Sequence, residues 1–437
     1  MDDKSLKVED RSPAANIGLA IWRLKYFYET FVLKIRHIAN LKTVNMVLAE
    51  KNAHLNQRQQ MLLFNSPINS TRLLQFCITL FLFNSCIPLR SVFLGNPDDK
   101  DITRFKNAVI QSGSECFKFK EAMNSSVKNI KIDDWTRDIP FFMSLNTFAP
   151  THRIRSLLII QNDTLKYEYY GKKMNEQKLH SSYSIAKSFT SALIGIAIEE
   201  GFIKSEHDLV VKYIPELTGV PNADKLTIEH LLNHTSGIKY NLGIDAKIYY
   251  GRNSLNSLKK IKFEFMPGIK QHYLNINIDL LGLILKRATG IAPSKYLEDK
   301  IWKPIQMCSD GVWSVDEKNH KEKSFCCIGA TAMDYAKFGR LYLNKGVWNG
   351  KRIISEAWYN KSISRDTSNG SSFNYNYCWH IGLKEYGDFM AIGLYKQHIY
   401  INPNKNLLII LFNDREKPLK AERANWWFVF RQIADQL

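Results

Sequence analysis

Four serines in this sequence are each followed three residues later by a lysine, a spacing that can form a nucleophile and its base. An alcohol nucleophile needs a neighbouring group that takes its proton, and residues i and i+3 share one face of a helix. A lysine can be that base when burial or a nearby cation lowers its pKa. The four copies start at Ser125, Ser184, Ser236 and Ser257, so the spacing alone does not identify the nucleophile.

The surroundings of the four serines favour Ser184. Small and apolar residues come after it, which predicts a buried helix over residues 184–201 that a glycine ends. The first turn of such a helix has free N–H groups that can face a ligand in a cleft. Ser125 lies in a polar stretch, Ser236 precedes a glycine that favours a turn, and Ser257 is in a lysine-rich segment expected at the surface. The alternative is that Ser184 only caps the helix.

A second group should pass the proton on to the leaving atom, and a Tyr-x-Asn pair can do this. The sequence has three copies, which start at Tyr273, Tyr342 and Tyr400. Tyr342 is expected at the end of a helix and Tyr400 on a strand. Tyr273 comes after a Pro-Gly pair and precedes a predicted helix, so we expect it on a loop that faces a cleft. The alternative for Tyr273 is an ordinary amphipathic tyrosine.

These motifs resemble those of the class C β-lactamase-related serine hydrolases, and within them the branch of 6-aminohexanoate-oligomer hydrolases and related esterases. The similarity extends from Arg153 to the C-terminus, and several spaced motifs in order are more specific than one. The segments that carry it are Ser181–Leu193, His230–Gly237, Phe265–Gly282 and Ile301–Met307. The resemblance implies an α/β fold of the penicillin-recognising kind, in which helices flank an antiparallel sheet and a mainly helical insertion interrupts it.

The resemblance also implies a role for each site residue. Ser184 would form an acyl-enzyme and Lys187 would be its base. Tyr273 would protonate the leaving group, and Asn275 would hold Lys187 and the substrate carbonyl or amide in place. No metal or organic cofactor is expected, and the partner would be a small ester or amide.

The third motif of the family, often Lys-Thr-Gly or His-x-Gly on a strand, is replaced here by Ala391-Ile392-Gly393, a non-basic form similar to that of the 6-aminohexanoate branch. Gly393 allows close backbone approach, and the N–H of Leu394 is expected to complete an oxyanion hole with that of Ser184. A missing basic residue argues against tight binding of penicillins and of D-Ala-D-Ala ends. Lys396 is close enough along the chain to restore that charge if its side chain turns back.

Patterns along the rest of the domain predict the elements that position these residues. Short β-rich runs are expected at Ile154–Ile160, Leu165–Tyr170, Met390–Ile401 and Leu407–Phe412. A mostly helical region is expected at 205–325, and a C-terminal helix at Ala421–Leu437. The first two runs form a hairpin. Strands at both ends with helices between them predict a sheet built from the two ends of the domain.

The composition indicates a folded protein larger than one minimal domain, with 437 residues of which 45% are hydrophobic. The formal net charge of +18 comes from scattered lysines and arginines, without a basic helix or a nucleic-acid-binding motif. We therefore expect no nucleic-acid partner and relate the charge to solubility or to attraction by anionic surfaces.

The chain has seven cysteines, and an odd number in a chain of this length does not indicate a disulfide framework. Cys326 and Cys327 are adjacent, and adjacent cysteines are not expected to bridge each other. No Cys-x-x-Cys is present, so a zinc site or a redox pair has little support.

The N-terminal 86 residues differ in composition from the rest of the chain. The apolar run at 72–86 has the length of a signal-peptide core and is short for a membrane span. Its end, Leu82–Cys86, resembles a lipoprotein cleavage site, with Met61 as an alternative start. We expect export to the periplasm or cell envelope with a lipid anchor; the alternative is a buried helix of a cytoplasmic protein. Residues 87–150 are expected to be an irregular linker, and 151–437 the hydrolase domain.

One alternative, an α/β-hydrolase, is disfavoured, and three other kinds of function remain open. An α/β-hydrolase would need Gly-x-Ser-x-Gly, which no serine here has. His230 and His234 have a spacing that suits two metal ligands on a helix, although a structural role for this pair is favoured. A non-catalytic penicillin-binding sensor would share the same motifs, and so would a true β-lactamase or DD-peptidase.

Overall fold

A computed structural model describes residues 87–122, 125–133, 142–368, 370–414 and 425–437. The chain divides into two compact units, residues 1–97 and residues 98–437. In the first unit the described part contains helix α1 (Ile87–Leu94). The expected signal segment at 72–86 lies outside the described residues. Within the described ranges, no helix combines the length and the apolar character that a membrane span requires.

The second unit contains eleven further α-helices in the described residues. They are α2 (Asp101–Arg104), α3 (Ser125–Lys128), α4 (Leu145–Thr151), α5 (Ala186–Glu199), α6 (Ile228–Leu232), α7 (Leu242–Tyr250), α8 (Asn275–Thr289), α9 (Pro293–Leu297), α10 (Ala332–Leu343), α11 (Glu356–Ile363) and α12 (Trp426–Asp435). Short 3-10 segments occur at Tyr183–Ile185, Val210–Lys212, Pro215–Leu217, Ala223–Lys225, Ser254–Lys260 and Pro403–Lys405, and a π-helical turn succeeds α9 at Glu298–Trp302.

The strands of the described ranges form one large sheet, one smaller sheet and two short pairs. They are β1 (Asn107–Ile110), β2 (Lys120–Glu121), β3 (Lys131–Asp133), β4 (Phe142–Ser144), β5 (Ile154–Gln161), β6 (Thr164–Tyr170), β7 (His180–Ser181), β8 (Gly311–Ser314), β9 (Ile328–Ala330), β10 (Val347–Trp348), β11 (Lys351–Arg352), β12 (Tyr375–Asn376), β13 (Trp379–Ile381), β14 (Phe389–Gly393), β15 (Gln397–Asn402) and β16 (Leu407–Asn413).

The large sheet has the order β12-β13-β14-β15-β16-β5-β6-β2, and only its last pair is parallel. The pairing of β16 with β5, in which Ile409 lies opposite Ile159, joins the two ends of the domain. This confirms the expected α/β fold, in which a sheet built from both ends is interrupted by an insertion. The expected hairpin is also present, because β5 pairs with β6 around a turn at Asn162 and Asp163.

Helices cover both faces of the large sheet. The C-terminal helix α12 packs on one face through Trp426 and Phe430, which belong to the same buried cluster as Ile159. On the other face α10 lies so close that a Cβ atom on Gly339 would be 3.0 Å from Ile399. Strands covered on both sides need apolar residues throughout, which explains why β5 and β16 are almost continuous apolar runs.

Three expectations about elements need correction. The run from Met390 to Ile401 is not one strand but a hairpin, because Tyr395 and Lys396 both adopt left-handed backbone conformations and turn the chain. The region 205–325 contains many short helical segments but also strand β8, which pairs with β1 and β9. Ser257 is not at the surface: it is fully buried, and its hydroxyl donates to the Ser254 carbonyl at 2.6 Å.

The segment that starts at Asp98 is more ordered than the linker expected over residues 87–150. Asp99 forms an ion pair with Arg155. Strand β1 pairs with β8, where Asn107 lies opposite Ser314, and β2 lies parallel to β6 at the edge of the large sheet. These contacts make the segment part of the second unit.

Four cysteines form two disulfides, which the odd cysteine count did not predict. Cys116 pairs with Cys308, which lies 192 residues further along the chain. Next to this disulfide, the Phe117 amide donates to the Gln306 carbonyl and so joins the same two segments. The expectation that Cys326 and Cys327 do not bridge each other is wrong: they are paired, at a turn where Cys327 has a φ of 72°. Cys378 is buried and free.

Candidate active site

Ser184 is held at the entrance of helix α5 by a rigid turn. It lies in the middle of the 3-10 segment Tyr183–Ile185, directly before the helix, and its side chain is partly exposed. The preceding residue, Ser182, is tied to strand β9 by two bonds: its amide donates to the Ile328 carbonyl at 2.7 Å, and its hydroxyl accepts from the Ile328 amide at 2.9 Å. The sheet therefore fixes the backbone that presents the Ser184 hydroxyl.

Lys187 is almost completely buried one helical turn after Ser184, with 1% of its surface exposed. Its Nζ atom lies 2.8 Å from Ser184 Oγ, 3.0 Å from Asn275 Oδ1 and 2.9 Å from the Phe325 carbonyl oxygen. Burial lowers the pKa of Lys187 to about 7, against the opposing effects of Cys378 and Asp245. A substantial fraction of this amine is therefore neutral at physiological pH.

The two fixed acceptors decide how a neutral Lys187 presents its lone pair. A neutral amine has two N–H groups, and Asn275 and Phe325 each offer an oxygen to one of them. The lone pair is then left for the third direction, toward the Ser184 hydroxyl. This is the arrangement that a general base requires.

Tyr273 is the second group beside Ser184. Burial raises the pKa of Tyr273 well above its usual value, and the interaction with the Ser184 side chain opposes this shift. The Lys187 ammonium lies 5.0 Å from the Tyr273 ring centroid. The centroid of the His234 ring lies 4.3 Å from that of the Tyr273 ring. Tyr273 is thus protonated at neutral pH and can donate a proton to a departing group.

The other motif copies lie elsewhere and make structural contacts. Ser236 is buried, and its hydroxyl accepts from the Ile238 amide at 3.2 Å. Tyr342 is fully buried in α10, whereas Tyr400 lies on β15 and donates to Asp388 at 2.9 Å. Ser125 begins the four-residue helix α3. Of the four serines, Ser184 is the one with a hydrogen bond from the lysine of its own motif in the described structure.

The replaced third motif lies at the end of β14 and contacts Ser182, directly before the turn Tyr183–Ile185 that carries Ser184. A Cβ atom on Gly393 would be 2.5 Å from the Ser182 carbonyl oxygen, so this glycine allows the close approach that its place in the motif predicts. Ala391, which stands where the family often has lysine, is fully buried. Leu394 comes directly after the strand, where its N–H was expected to face an oxyanion.

Lys396 lies in the turn after β14 rather than on a strand, with a φ of 61°. Strand alternation therefore does not determine its direction. Its charge contributes to lowering the pKa of His380 to about 4, after the larger effect of burial and that of Lys187. Lys396 is thus near the edge of the site, and no hydrogen bond from its amine to Ser184 is among those of the described residues.

The histidine pair at 230 and 234 has structural partners. Thr227 and His230 form a capping box at the start of α6. Nδ1 of His234 accepts from the Leu274 amide at 3.3 Å and lies 3.1 Å from the Asn277 amide nitrogen. Within the part of the chain that the structure describes, no group of three or more His, Cys, Asp or Glu side chains could hold a metal ion.

Two contributors to the site were missed by sequence reasoning. The Phe325 carbonyl accepts a hydrogen bond from Lys187, but a backbone acceptor cannot be identified from residue types in the sequence. Asp245 is buried in α7 and acts electrostatically on Lys187. Its signal was a single acidic residue in the mainly apolar and aromatic stretch Leu242–Tyr250, which also contains Lys247.

Comparison with known proteins agrees with this geometry. The sequence model of the beta-lactamase family matches residues 155–433, which is more than half of the chain. The 6-aminohexanoate-dimer hydrolase of Paenarthrobacter ureafaciens is 23% identical over 289 residues, which cover 60% of this chain and 73% of that protein.

Solved structures show the same fold. A Bacillus anthracis protein assigned as a 6-aminohexanoate-dimer hydrolase superposes with a TM-score of 0.69 at 22% identity, covering 80% of this chain and 95% of that one. A class C beta-lactamase gives a TM-score of 0.54 at 16% identity over 67% of this chain and 94% of its own. The expected β-lactamase/transpeptidase-like fold is therefore confirmed.

Proposed function

The chain belongs to the beta-lactamase family and is a serine hydrolase, and from this we propose that it cleaves small esters or linear amides through an acyl-enzyme on Ser184. The observation that carries the proposal is the contact of 2.8 Å between Lys187 Nζ and Ser184 Oγ, made by a lysine whose pKa burial lowers to about 7. A nucleophile beside a base that is partly neutral at working pH is suited to acyl transfer.

In the acylation step, neutral Lys187 takes the Ser184 proton while Oγ attacks the substrate carbonyl carbon. Negative charge develops on the carbonyl oxygen, and the N–H groups of Ser184 and Leu394 would stabilise it. Such an oxyanion hole is worth several kcal/mol, since losing one donor costs about 100-fold in rate. The close approach of Gly393 to the Ser182 carbonyl supports this placement of Leu394.

Collapse of the tetrahedral intermediate requires a proton on the leaving oxygen or nitrogen. Tyr273 is suited to deliver it, because its raised pKa keeps the hydroxyl protonated and its ring lies 5.0 Å from Lys187 Nζ, the atom that contacts Ser184. The Lys187 ammonium formed in the first step lies beside the same ring and can return a proton to Tyr273. The acyl-enzyme is then hydrolysed by water, with Lys187 and Tyr273 as the groups able to activate it.

The preference for esters or linear amides rests on the charge of the third motif. A β-lactam has a carboxylate that a lysine or histidine on this strand would pair with, and here that position is the buried Ala391. Losing a hydrogen bond to an ion costs about 1.5–3 kcal/mol, whereas a neutral ester loses nothing. The name of the related 6-aminohexanoate-dimer hydrolase supports a linear amide as substrate.

Steady-state hydrolysis of p-nitrophenyl esters, amide oligomers and nitrocefin by the same preparation tests the proposal. We expect turnover of short acyl esters or of linear amides and weak or no turnover of nitrocefin. Efficient nitrocefin hydrolysis with negligible esterase activity would instead assign the protein to the true β-lactamases. A DD-peptidase would be recognised by release of D-alanine from a D-Ala-D-Ala peptide.

A non-catalytic sensor is distinguished by the fate of the acyl group. An activated ester should give a burst of one equivalent of product and then continued turnover for an enzyme, but the burst alone for a sensor. Ser184→Ala should show neither phase. Product formation by Ser184→Ala equal to that of the wild type would contradict Ser184 as the nucleophile.

We also propose that the protein is exported to the cell envelope. Support comes from the apolar run at 72–86 and its lipoprotein-like end at Cys86, and from the two disulfides, which are typical of oxidising compartments. Mass spectrometry of protein from its native host should find a shortened, lipidated chain that begins at Cys86. An intact N-terminus at Met1 in the cytoplasmic fraction would contradict export.

A further inference from the structure

One short segment of the chain contacts both the base and the turn that carries the nucleophile. The Phe325 carbonyl accepts from Lys187 Nζ at 2.9 Å. Ile328 binds Ser182, the residue before that turn, with both backbone groups: its carbonyl accepts from the Ser182 amide at 2.7 Å, and its amide donates to the Ser182 hydroxyl at 2.9 Å. Only two residues lie between Phe325 and Ile328, so their conformation sets how the two contacts are placed relative to each other.

Those two residues are Cys326 and Cys327, which are joined by a disulfide. A disulfide stabilises a fold mainly by closing a loop of the unfolded chain, and this effect grows with the length of the loop. Neighbouring residues close almost no loop, so this bond adds little to stability through the unfolded state. Its main effect is therefore on the folded structure, where it restricts the backbone between the two contacts.

The backbone at this disulfide has a conformation that its residue types disfavour. Cys327 has a φ of 72°, a region that residues with a Cβ atom rarely adopt and that glycine adopts freely. The Cys327 carbonyl accepts from the Ser314 amide at 3.1 Å, and the Cys326 carbonyl accepts from the Trp313 indole at 3.0 Å. Such a conformation persists only when its surroundings hold it, and the disulfide is one of the bonds that do.

Both cysteines are removed from solvent, since Cys326 is 5% and Cys327 is 4% exposed. A disulfide holds its two sulfur atoms far inside the contact distance of two separate thiols. Without the bond the sulfur atoms would move apart, and a close-packed interior has no free space for them. The displacement would reach Phe325 and Ile328, because both are bonded directly to the cysteines along the chain.

We propose that the disulfide of Cys326 and Cys327 is a positioning element of this active site. It fixes the turn so that the Phe325 carbonyl stays on the base, Lys187. The same turn keeps Ile328 on the residue that precedes the nucleophile turn. The proposal rests on the proposed function, in which Lys187 is the base, and the cysteines act through the backbone of their neighbours.

Loss of the Phe325 acceptor would free one N–H group of Lys187. The neutral amine would keep Asn275 Oδ1 as a fixed acceptor at 3.0 Å, but it could rotate about that bond. Its lone pair would then point to Ser184 for a smaller fraction of the time, and the rate of proton removal would fall. Thermal stability does not depend on the direction of a lone pair, so the rate and the Tm can be separated.

The test measures Ser184 labelling by a fluorophosphonate probe in the full-length protein, at a pH well above 7, the pKa of Lys187. Cys326→Ala/Cys327→Ala removes the disulfide and leaves a residue with a Cβ atom at the positive φ. Its labelling rate should fall by about tenfold or more, the effect of one lost hydrogen bond to a charged group. Cys326→Ala/Cys327→Gly also removes the disulfide but supplies the residue that adopts this φ freely, and it should recover most of the wild-type rate.

Cys116→Ala/Cys308→Ala is the matched control, because it removes a disulfide between exposed cysteines 192 residues apart. Its Tm should fall, since a bond that closes a long loop restricts the unfolded chain, and its labelling rate should equal that of the wild type. The alanine variant of the adjacent pair should show the opposite pattern, with a smaller change in Tm and a larger change in rate.

Peptide mapping of the unreduced wild type measures the disulfide itself and needs no folded variant. The tryptic peptide Ser324–Lys337 contains both adjacent cysteines and no other. The disulfide should make this peptide lighter by two hydrogen atoms and protect both cysteines from alkylation. Alkylation of both cysteines in wild-type protein that labels at its full rate would overturn the proposal.

The outcomes separate this proposal from the proposed function. A folded Cys326→Ala/Cys327→Ala variant that is labelled as fast as the wild type overturns the positioning role. Equal slowing in the alanine and glycine variants also overturns it, because the backbone at residue 327 would then not be the cause. If the alanine variant does not fold, Cys326→Ala alone also breaks the bond and takes its place. If the wild type is not labelled, or Ser184→Ala is labelled as fast as the wild type, the proposed function fails instead.

Discussion

The Nζ atom of Lys187 lies 2.8 Å from the Oγ atom of Ser184 inside a site where the lysine is almost wholly removed from water. Helical spacing brings the two residues together, but burial gives the contact its chemistry. A lysine with the usual pKa would be protonated at neutral pH and could not accept the serine proton. Three oxygens around Nζ fix the orientation of the amine. Burial lowers its pKa, so that the neutral form is populated near pH 7.

The pH dependence of hydrolysis should report this base. Because burial lowers the pKa of Lys187 to about 7, the neutral amine is lost as the pH falls through that value. We therefore expect kcat/KM for a neutral ester to fall on the acid side with a midpoint near 7. A profile that is flat between pH 6 and pH 9 would contradict Lys187 as the base.

Replacing Lys187 by arginine keeps a positive charge but removes the base, since a guanidinium stays protonated in proteins. Lys187→Arg should lose hydrolysis by at least about 100-fold, the lower range for a general base, across the same pH range. Lys239→Arg, in the motif copy that starts at Ser236, is the control and should keep wild-type kinetics. Activity of Lys187→Arg that matches the control would show that positive charge alone is needed.

The choice among the four Ser-x-x-Lys copies can be checked by single alanine substitutions. Ser184→Ala should abolish turnover, because loss of a covalent nucleophile costs several orders of magnitude in kcat. Ser236→Ala and Ser257→Ala should cost about 1 kcal/mol of stability each, since each removes a buried hydrogen bond, and should keep kcat. Steady-state kinetics and thermal unfolding separate the two effects, and loss of chemistry in Ser257→Ala with a normal Tm would contradict the assignment.

The Tyr-x-Asn copies allow a similar comparison with phenylalanine. Tyr273→Phe removes the hydroxyl of the ring that lies beside Lys187 and should lower kcat by about 100-fold or more, as expected for a lost proton donor. Tyr400→Phe removes the bond to Asp388, and Tyr342→Phe alters the core of α10. Tyr400→Phe should lower Tm, whereas Tyr342→Phe removes a buried hydroxyl that has no hydrogen-bond partner among the described residues and should leave Tm unchanged or raise it. Both variants should retain kcat. A larger loss of kcat in either of these two would assign the proton relay elsewhere.

Local patterns predicted the elements that carry the site. Alternating and continuous apolar runs indicated β5, β6 and β16, and a small-residue helix indicated α5, because these signals depend on neighbours along the chain. The turn after β14 was missed since Tyr395 and Lys396, neither of them glycine, both adopt positive φ. Tertiary packing imposes that conformation, and it cannot be predicted from the types of these two residues.

Contacts between distant segments were beyond sequence reasoning. The pairing of Cys116 with Cys308 depends on where two loops meet, and the Phe325 carbonyl reaches Lys187 from 138 residues away. Asp245 could be seen as an acid among mainly apolar neighbours, but its electrostatic effect on Lys187 emerges only from the packing of the folded chain. The contact between Ser184 and Lys187 was predictable because a single helical turn joins the two residues.

Gly393 offers a test of how tightly the sheet fixes the nucleophile. A Cβ atom at this position would stand 2.5 Å from the Ser182 carbonyl oxygen, a backbone atom that cannot rotate away. Ser182 is held to Ile328 by two hydrogen bonds and accepts from the Ile185 amide, so a displacement would pass directly to Ser184. Overpacking of this kind costs about 1–3 kcal/mol.

Gly393→Ala should therefore lower both Tm and kcat/KM, because the strand and the nucleophile turn cannot both keep their positions. Gly113→Ala is the matched control: its added Cβ would be 3.7 Å from the nearest atom of Lys303, an ordinary contact. That variant should retain the stability and kinetics of the wild type. Thermal unfolding and ester hydrolysis measured on both variants decide the question, and a Gly393→Ala protein as stable and active as Gly113→Ala would mean that β14 can withdraw from Ser182 without disturbing Ser184.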